Sequence, residues 1–152
     1  MIDYIFARKK LKKSINLSFT KIYIIILIVL IFNFNLLTKR YFEKQLELVK
    51  ITGKPLFLHC RNAYEDFAEI LKRHHSDLKG GVVHSFTGTK EEAKIFTDMG
   101  YFIGINGCSL KTQENIDAMC SIPTEFLMIE TGKYRLIQIQ HFCIFNKILQ
   151  TL

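Results

Sequence analysis

From Tyr41 to Thr131 four short apolar runs alternate with stretches of helical period: LFLH (Leu56 to His59), VVHSF (from Val82), YFIGI (from Tyr101) and FLMIE (Phe126 to Glu130). Strands separated by helices of about ten to fifteen residues are not joined by hairpins. They pair in parallel through right-handed crossovers. YFEKQLELVKITGKP reads as a helix that ends near Gly53, with Pro55 as a stop signal just beyond. LFLH follows as a buried strand. YEDFAEILKRHH is amphipathic, with Phe67, Ile70 and Leu71 on one side, and the pair Gly80 and Gly81 releases the chain into VVHSF. Thr89 followed by Glu92 reads as a capping box for a helix that closes at Gly100. A further helix is expected around Asn115 to Cys120, ahead of Pro123 and the last run. The predicted class is therefore α/β, with four βα units. A closed α/β barrel takes about 250 residues, so a chain of 152 residues can hold only part of one.

The formal net charge of +7 invites a nucleic-acid reading, but its distribution does not support a basic face on this α/β part. Eight Lys and Arg residues lie before Tyr41 against Asp3 alone, so the excess belongs to the first forty residues and the remainder is neutral. Cys60, Cys108, Cys120 and Cys143 show neither a CxxC pair nor regular spacing. Reduced packing thiols are expected, rather than a disulfide framework or a zinc ribbon.

Three zones follow. Residues 1–40 are basic and then apolar, and KIYIIILIVLIFNFNLLT (Lys21 to Thr38) interrupts its apolar run only at Asn33 and Asn35. Taken literally it is a hydrophobic helix, a signal anchor placing residues 22–37 in a membrane, although it falls short of the roughly 20 residues a spanning helix needs. Translated A/T-rich non-coding DNA gives the same composition. Residues 41–131 carry the βα alternation, and residues 132–152 form a tail with no acidic residue. Gly132-Lys133-Tyr134 can be encoded by a splice-donor-like sequence, so both flanks are open to a reading as introns translated in frame.

In α/β barrels reactive groups sit at the carboxyl ends of the strands. His59 and His84 occupy that position in consecutive units, so they are candidate ligands of one divalent ion; the alternative is a pair of hydrogen-bonded strand-end histidines. Arg61 is a candidate phosphate clamp, since its planar fork suits that anion, or else a surface ion-pair partner. His74 and His75 read as helix-end cations beside Lys72 and Arg73. Glu65, Asp66 and Glu69 read as a solvated face, and Glu91 and Glu92 as first-turn acids. Glu130 differs, because it ends an apolar strand and points to the mouth of a site. Gly104 and Gly107 allow close backbone approach without matching a dinucleotide fingerprint.

The strings YFEKQLEL, PLFLHCRNA, GGVVHSFTGT, YFIGINGCSLKT and SIPTEFLMIET, taken in order, resemble the TatD family of metal-dependent deoxyribonucleases, most closely its eukaryotic branch. The resemblance covers about residues 41–131. It implies a (β/α)8 TIM-type barrel, of which this chain carries about the last four βα units, and a divalent metal (Mg, Mn or Zn) that activates water against DNA. It assigns His59 and His84 as metal ligands. It implies an intracellular protein, cytoplasmic or nuclear. The family's opening HxH pair and GExGLD-like string are not found in this sequence, and ETGKY puts Gly132 where the family has the Asp of ETDAP. No catalytic residue is therefore assigned, and the expectation is a truncated, inactive DNase. The alternative is a membrane-anchored, non-enzymatic half-barrel. Bare half-barrel edges would favour self-association in either case.

Overall fold

The computed structural model describes residues 4–5, 25–28 and 36–130. The expected alternation forms in full. Helix α1 (Leu36–Thr52) leads into strand β3 (Leu56–His59), α2 (Tyr64–His74) into β4 (Gly81–His84), α3 (Lys90–Asp98) into β5 (Phe102–Ile105), and α4 (Gln113–Ser121) into β6 (Leu127–Glu130). The remaining strands, β1 (Tyr4–Ile5) and β2 (Ile25–Ile28), join the same sheet, whose order is β1-β6-β5-β4-β3-β2. Strands β2 to β6 are parallel and β1 is antiparallel to β6. This is the partial barrel arrangement read from the sequence.

The local signals act as their chemistry requires. Gly53 takes φ +60 at the end of α1 and donates its N–H to Val49 O, as a C-terminal glycine does. The capping box of α3 is complete: Thr89 Oγ1 accepts from Glu92 N at 3.2 Å, and Glu92 Oε2 accepts from Thr89 N at 2.7 Å. Asp66 is tied to Lys39 and Glu43 to Arg73, which staples α1 to α2 on the solvent side.

The side chains of the sheet alternate between two faces. Leu56, Leu58, Val83, Ile103, Ile105 and Leu127 enter the core shared with the helices. The helices contribute Phe42, Leu46 and Val49 from α1, Phe67, Ile70 and Leu71 from α2, and Phe96 from α3. Phe42 stacks on Phe67 with centroids 4.9 Å apart, and Phe67 and Phe86 both meet Phe96 edge-on. Such ring pairs add about 0.5–1.5 kcal/mol each beyond their burial. The alternate positions, Phe57, His59, Val82, His84, Gly104, Met128 and Glu130, form the opposite face, on which the polar groups collect.

Three expectations are corrected. The apolar run before Tyr41 does not form one hydrophobic helix, because Ile25–Ile28 is a strand parallel to Leu56–His59 and α1 begins at Leu36. β-branched isoleucines beside a strand with free ladder groups pair with it, and no described helix is long and apolar enough to cross a membrane. The rest of residues 22–37 expected as an anchor, up to Asn35, lies outside the described residues. The edges of the four-strand set, expected to be bare, are each paired, with β2 on β3 and β1 on β6. Cys60 is free and buried as expected, its thiol pushed up to about 12 by burial, but Cys120 is disulfide-bonded, a pairing that spacing does not reveal. The tail at 132–152 lies outside the described residues.

Candidate functional site

Parallel register makes His59 of β3 the direct partner of His84 of β4, so two strand-end imidazoles stand side by side. His59 Nδ1 and His84 Nε2 are 3.1 Å apart, and the rings tilt by 43° with centroids 4.8 Å apart. Phe57 stacks on the His84 ring at 4.4 Å and fixes its plane. The basicity of His59 is lowered, first by burial and then by the neighbouring His84 and Arg61, with Glu130 opposing. A partly buried imidazole kept neutral is in the form that binds a metal.

Glu130 reaches this pair from β6, across β5. Its side chain is 6% exposed. Oε1 accepts from Ser85 N at 3.1 Å, and Oε2 from Ser85 Oγ and from Asn106 Nδ2, both at 3.2 Å. The path across β5 is open because residue 104 is glycine: a Cβ there would lie 1.9 Å from Glu130 Oε1. Burial alone would raise the Glu130 carboxyl, but the neighbouring His84 ring and the hydrogen bonds from Ser85 outweigh it and hold the group below the ordinary carboxylate range. The cluster is completed by Asn106 Nδ2 donating to Ser85 Oγ at 2.6 Å and by Ser85 Oγ lying 3.0 Å from His84 Nδ1.

The loop after β4 is pinned from two sides. Phe86 N donates to Gly104 O, and Tyr64 Oη accepts from Thr87 N at 3.3 Å. Ser85, just before Phe86, sits at φ +51, a conformation that a residue with a Cβ holds only when its surroundings enforce it.

The sequence-derived candidates separate clearly. His59 and His84 come together and Glu130 joins them. Arg61 is exposed beside His59, and no ion pair to a described acid holds it. His74 and His75 lie at the far end of α2, outside the cluster. Ser85 and Asn106 belong to the site although sequence reasoning did not single them out as site residues; the only local hint was polar residues directly after apolar runs. A cavity of about 500 Å³ opens between the first turns of α2 and α3, lined by none of the cluster residues. Its lining includes Glu65, Asp66 and Glu92, and that sign of charge does not suit a phosphate.

A family model described as TatD related DNase matches residues 35–135. The chain belongs to the TatD family. It is 48% identical over 94 residues to a deoxyribonuclease Tat-D of Schizosaccharomyces pombe, a match covering 61% of this chain and 30% of that protein. It is 45% identical over 93 residues to a 3'-5' ssDNA/RNA exonuclease TatD of a Rahnella species, covering 59% and 35%. Among solved structures, an uncharacterized amidohydrolase from Saccharomyces cerevisiae superposes with a TM-score of 0.59 at 31% identity, covering 74% of this chain and 40% of the other. A TatD homologue from Escherichia coli gives 0.54 at 32% identity, covering 59% and 35%. This TatD chain thus spans about a third of the length of the curated relatives it matches.

TatD-family hydrolases are generally metal-dependent, so the residues can be tested against a divalent ion. Nitrogen ligands sit about 2.0–2.1 Å from zinc, and two nitrogens 3.1 Å apart are close enough to share one ion. Among the described residues no group of three or more His, Cys, Asp or Glu forms a metal shell. The imidazole pair fits half a shell.

Proposed function

We propose that residues 41–131 carry part of the divalent-metal centre of a TatD-type phosphodiester hydrolase, and that the chain as it stands does not cleave DNA. The observation that carries this reading is the facing pair His59 Nδ1 and His84 Nε2. Two neutral imidazoles retain a divalent ion weakly unless carboxylates complete the shell. The strand beside β3 ends in Ile28, level with His59, and supplies no ligating group. The sequence after Glu130 has Gly132 where the resemblance places an aspartate, so it also lacks the proposed general base. A bound ion would supply Lewis acidity toward a phosphodiester and an activated water. Within this reading His59 and His84 hold the ion, Arg61 clamps a substrate phosphate through its planar fork, and Glu130 supports His84 from behind.

The test is cleavage of single- and double-stranded DNA oligonucleotides by the full chain in Mn²⁺ and in Mg²⁺. The expected result is no product above the metal-free control. Metal-dependent cleavage that His84→Ala abolishes would show that the chain is a working nuclease and overturn the inactive assignment.

A further inference from the structure

We propose that Glu130, acting through Ser85 and Asn106, is a positioning residue that fixes His84 as its Nδ1–H tautomer and leaves Nε2 as the bare nitrogen facing His59. The inference rests on the reading of His84 as a ligand, but it concerns the metal-free chain and is tested there.

The protons available to the cluster decide the tautomer. An ionised carboxylate only accepts, and Glu130 is surrounded by donors: Ser85 N on Oε1, and Asn106 Nδ2 and Ser85 Oγ on Oε2. One Asn106 amide proton goes to Oε2, and the other goes to Ser85 Oγ at 2.6 Å. The Ser85 hydroxyl has a single proton and two acceptors within reach, Glu130 Oε2 at 3.2 Å and His84 Nδ1 at 3.0 Å. The carboxylate is the stronger acceptor. Once the hydroxyl proton points to Glu130, the lone pairs of Oγ accept from Asn106 and from His84, and the second contact requires a proton on Nδ1. The donors and acceptors around Ser85 Oγ and the Glu130 carboxylate are then matched. Glu130 Oε2 also lies 3.7 Å from Nδ1, which favours the N–H there over a lone pair.

The opposite assignment gives the hydroxyl proton to Nδ1 and puts the ring proton on Nε2. It leaves Ser85 Oγ and Glu130 Oε2 facing each other at 3.2 Å with no proton between them. Two other features serve this arrangement. Ser85 is held at φ +51, where both its N–H and its Oγ reach Glu130, and Gly104 leaves the space the Glu130 carboxylate fills.

The full chain, labelled with ¹⁵N-histidine and stripped of metal, gives ring tautomers from long-range ¹H–¹⁵N spectra at neutral pH, with the His84 signals identified by their loss in His84→Gln. Expected is Nδ1–H at His84 in the native chain and a shift toward Nε2–H in Glu130→Gln. Ser85→Ala, which removes the relay and leaves the carboxylate, is the second variant should Glu130→Gln fail to fold, and it is expected to weaken the Nδ1–H preference. Native His84 found as Nε2–H, or Nδ1–H retained unchanged in every variant that folds, overturns the proposal. A Zn²⁺ titration of the same samples separates the two readings. About tenfold weaker binding in Glu130→Gln supports both, whereas an Nδ1–H His84 in a native chain that binds no zinc supports the positioning role and removes the metal reading.

Discussion

Gly104→Ala tests how Glu130 is held. An alanine Cβ at this position would lie 1.9 Å from Glu130 Oε1, 2.9 Å from its Cδ and 3.1 Å from the α-carbon of His84. The carboxylate must retreat by more than an ångström, which breaks its hydrogen bonds with Ser85 N and Asn106 Nδ2. Hydrogen bonds to a charged group contribute about 1.5–3 kcal/mol net. Keeping Glu130 in place would instead cost about 1–3 kcal/mol in overpacking. Either route predicts a loss of about 2 kcal/mol, a fall of about 1 M in the urea midpoint at an ordinary slope. Glu130→Ala removes the obstruction and leaves only the tight approach to the His84 backbone, so in that background Gly104→Ala should cost well under about 1 kcal/mol. The double-mutant cycle therefore predicts a coupling of about 1–2 kcal/mol. A coupling within about 0.5 kcal/mol of zero would refute the view that Gly104 exists to admit Glu130.

Tyr101 is fully buried, and its hydroxyl has no hydrogen-bonding partner among the described residues. Tyr101→Phe should therefore stabilise the chain by about 1 kcal/mol in urea titration, since an unsatisfied hydroxyl costs about 1–3 kcal/mol. Burial raises the pKa of Tyr101 and of Tyr64, and that of Cys60 to about 12. Groups raised on folding contribute stability that is present below their unfolded values and lost as pH rises through the folded ones. The midpoint should thus fall in the alkaline range from about pH 9 upward, and Tyr101→Phe should flatten that fall; an unchanged slope would count against the burial argument. Thr89→Ala breaks the capping box of α3 and should lower stability by about 1 kcal/mol, whereas Thr87→Ala just before it, an exposed position, should not match it. Gly132→Asp should strengthen Mn²⁺ binding severalfold in calorimetry; no change would remove the assigned aspartate position.

Much of the fold was legible because each of the four strands is a short apolar run bounded by glycine, proline or a polar turn, and the helices between them have an unbroken apolar stripe. The pairing of His59 with His84 followed from the same reasoning, since two runs ending in histidine in successive parallel units place those residues at one level. Glu130 was readable as a carboxylate at a strand end. Ser85 and Asn106 were not, because their role depends on β5 lying between β4 and β6 and on the gap at Gly104, which only the assembled sheet reveals. Ile25–Ile28 is not legible as a strand for a different reason: a continuous apolar run has no period by which strand and helix can be told apart. Its partner strand decides the matter, and that partner lies in another part of the sequence.

The claim that His59 and His84 share a single divalent ion is tested most directly by isothermal titration of the full chain with Zn²⁺, compared with His59→Ala and His84→Ala. The account predicts one weakly held ion per chain and loss of that binding in either variant. Binding of equal strength and stoichiometry in all three proteins would place the ion elsewhere and contradict it.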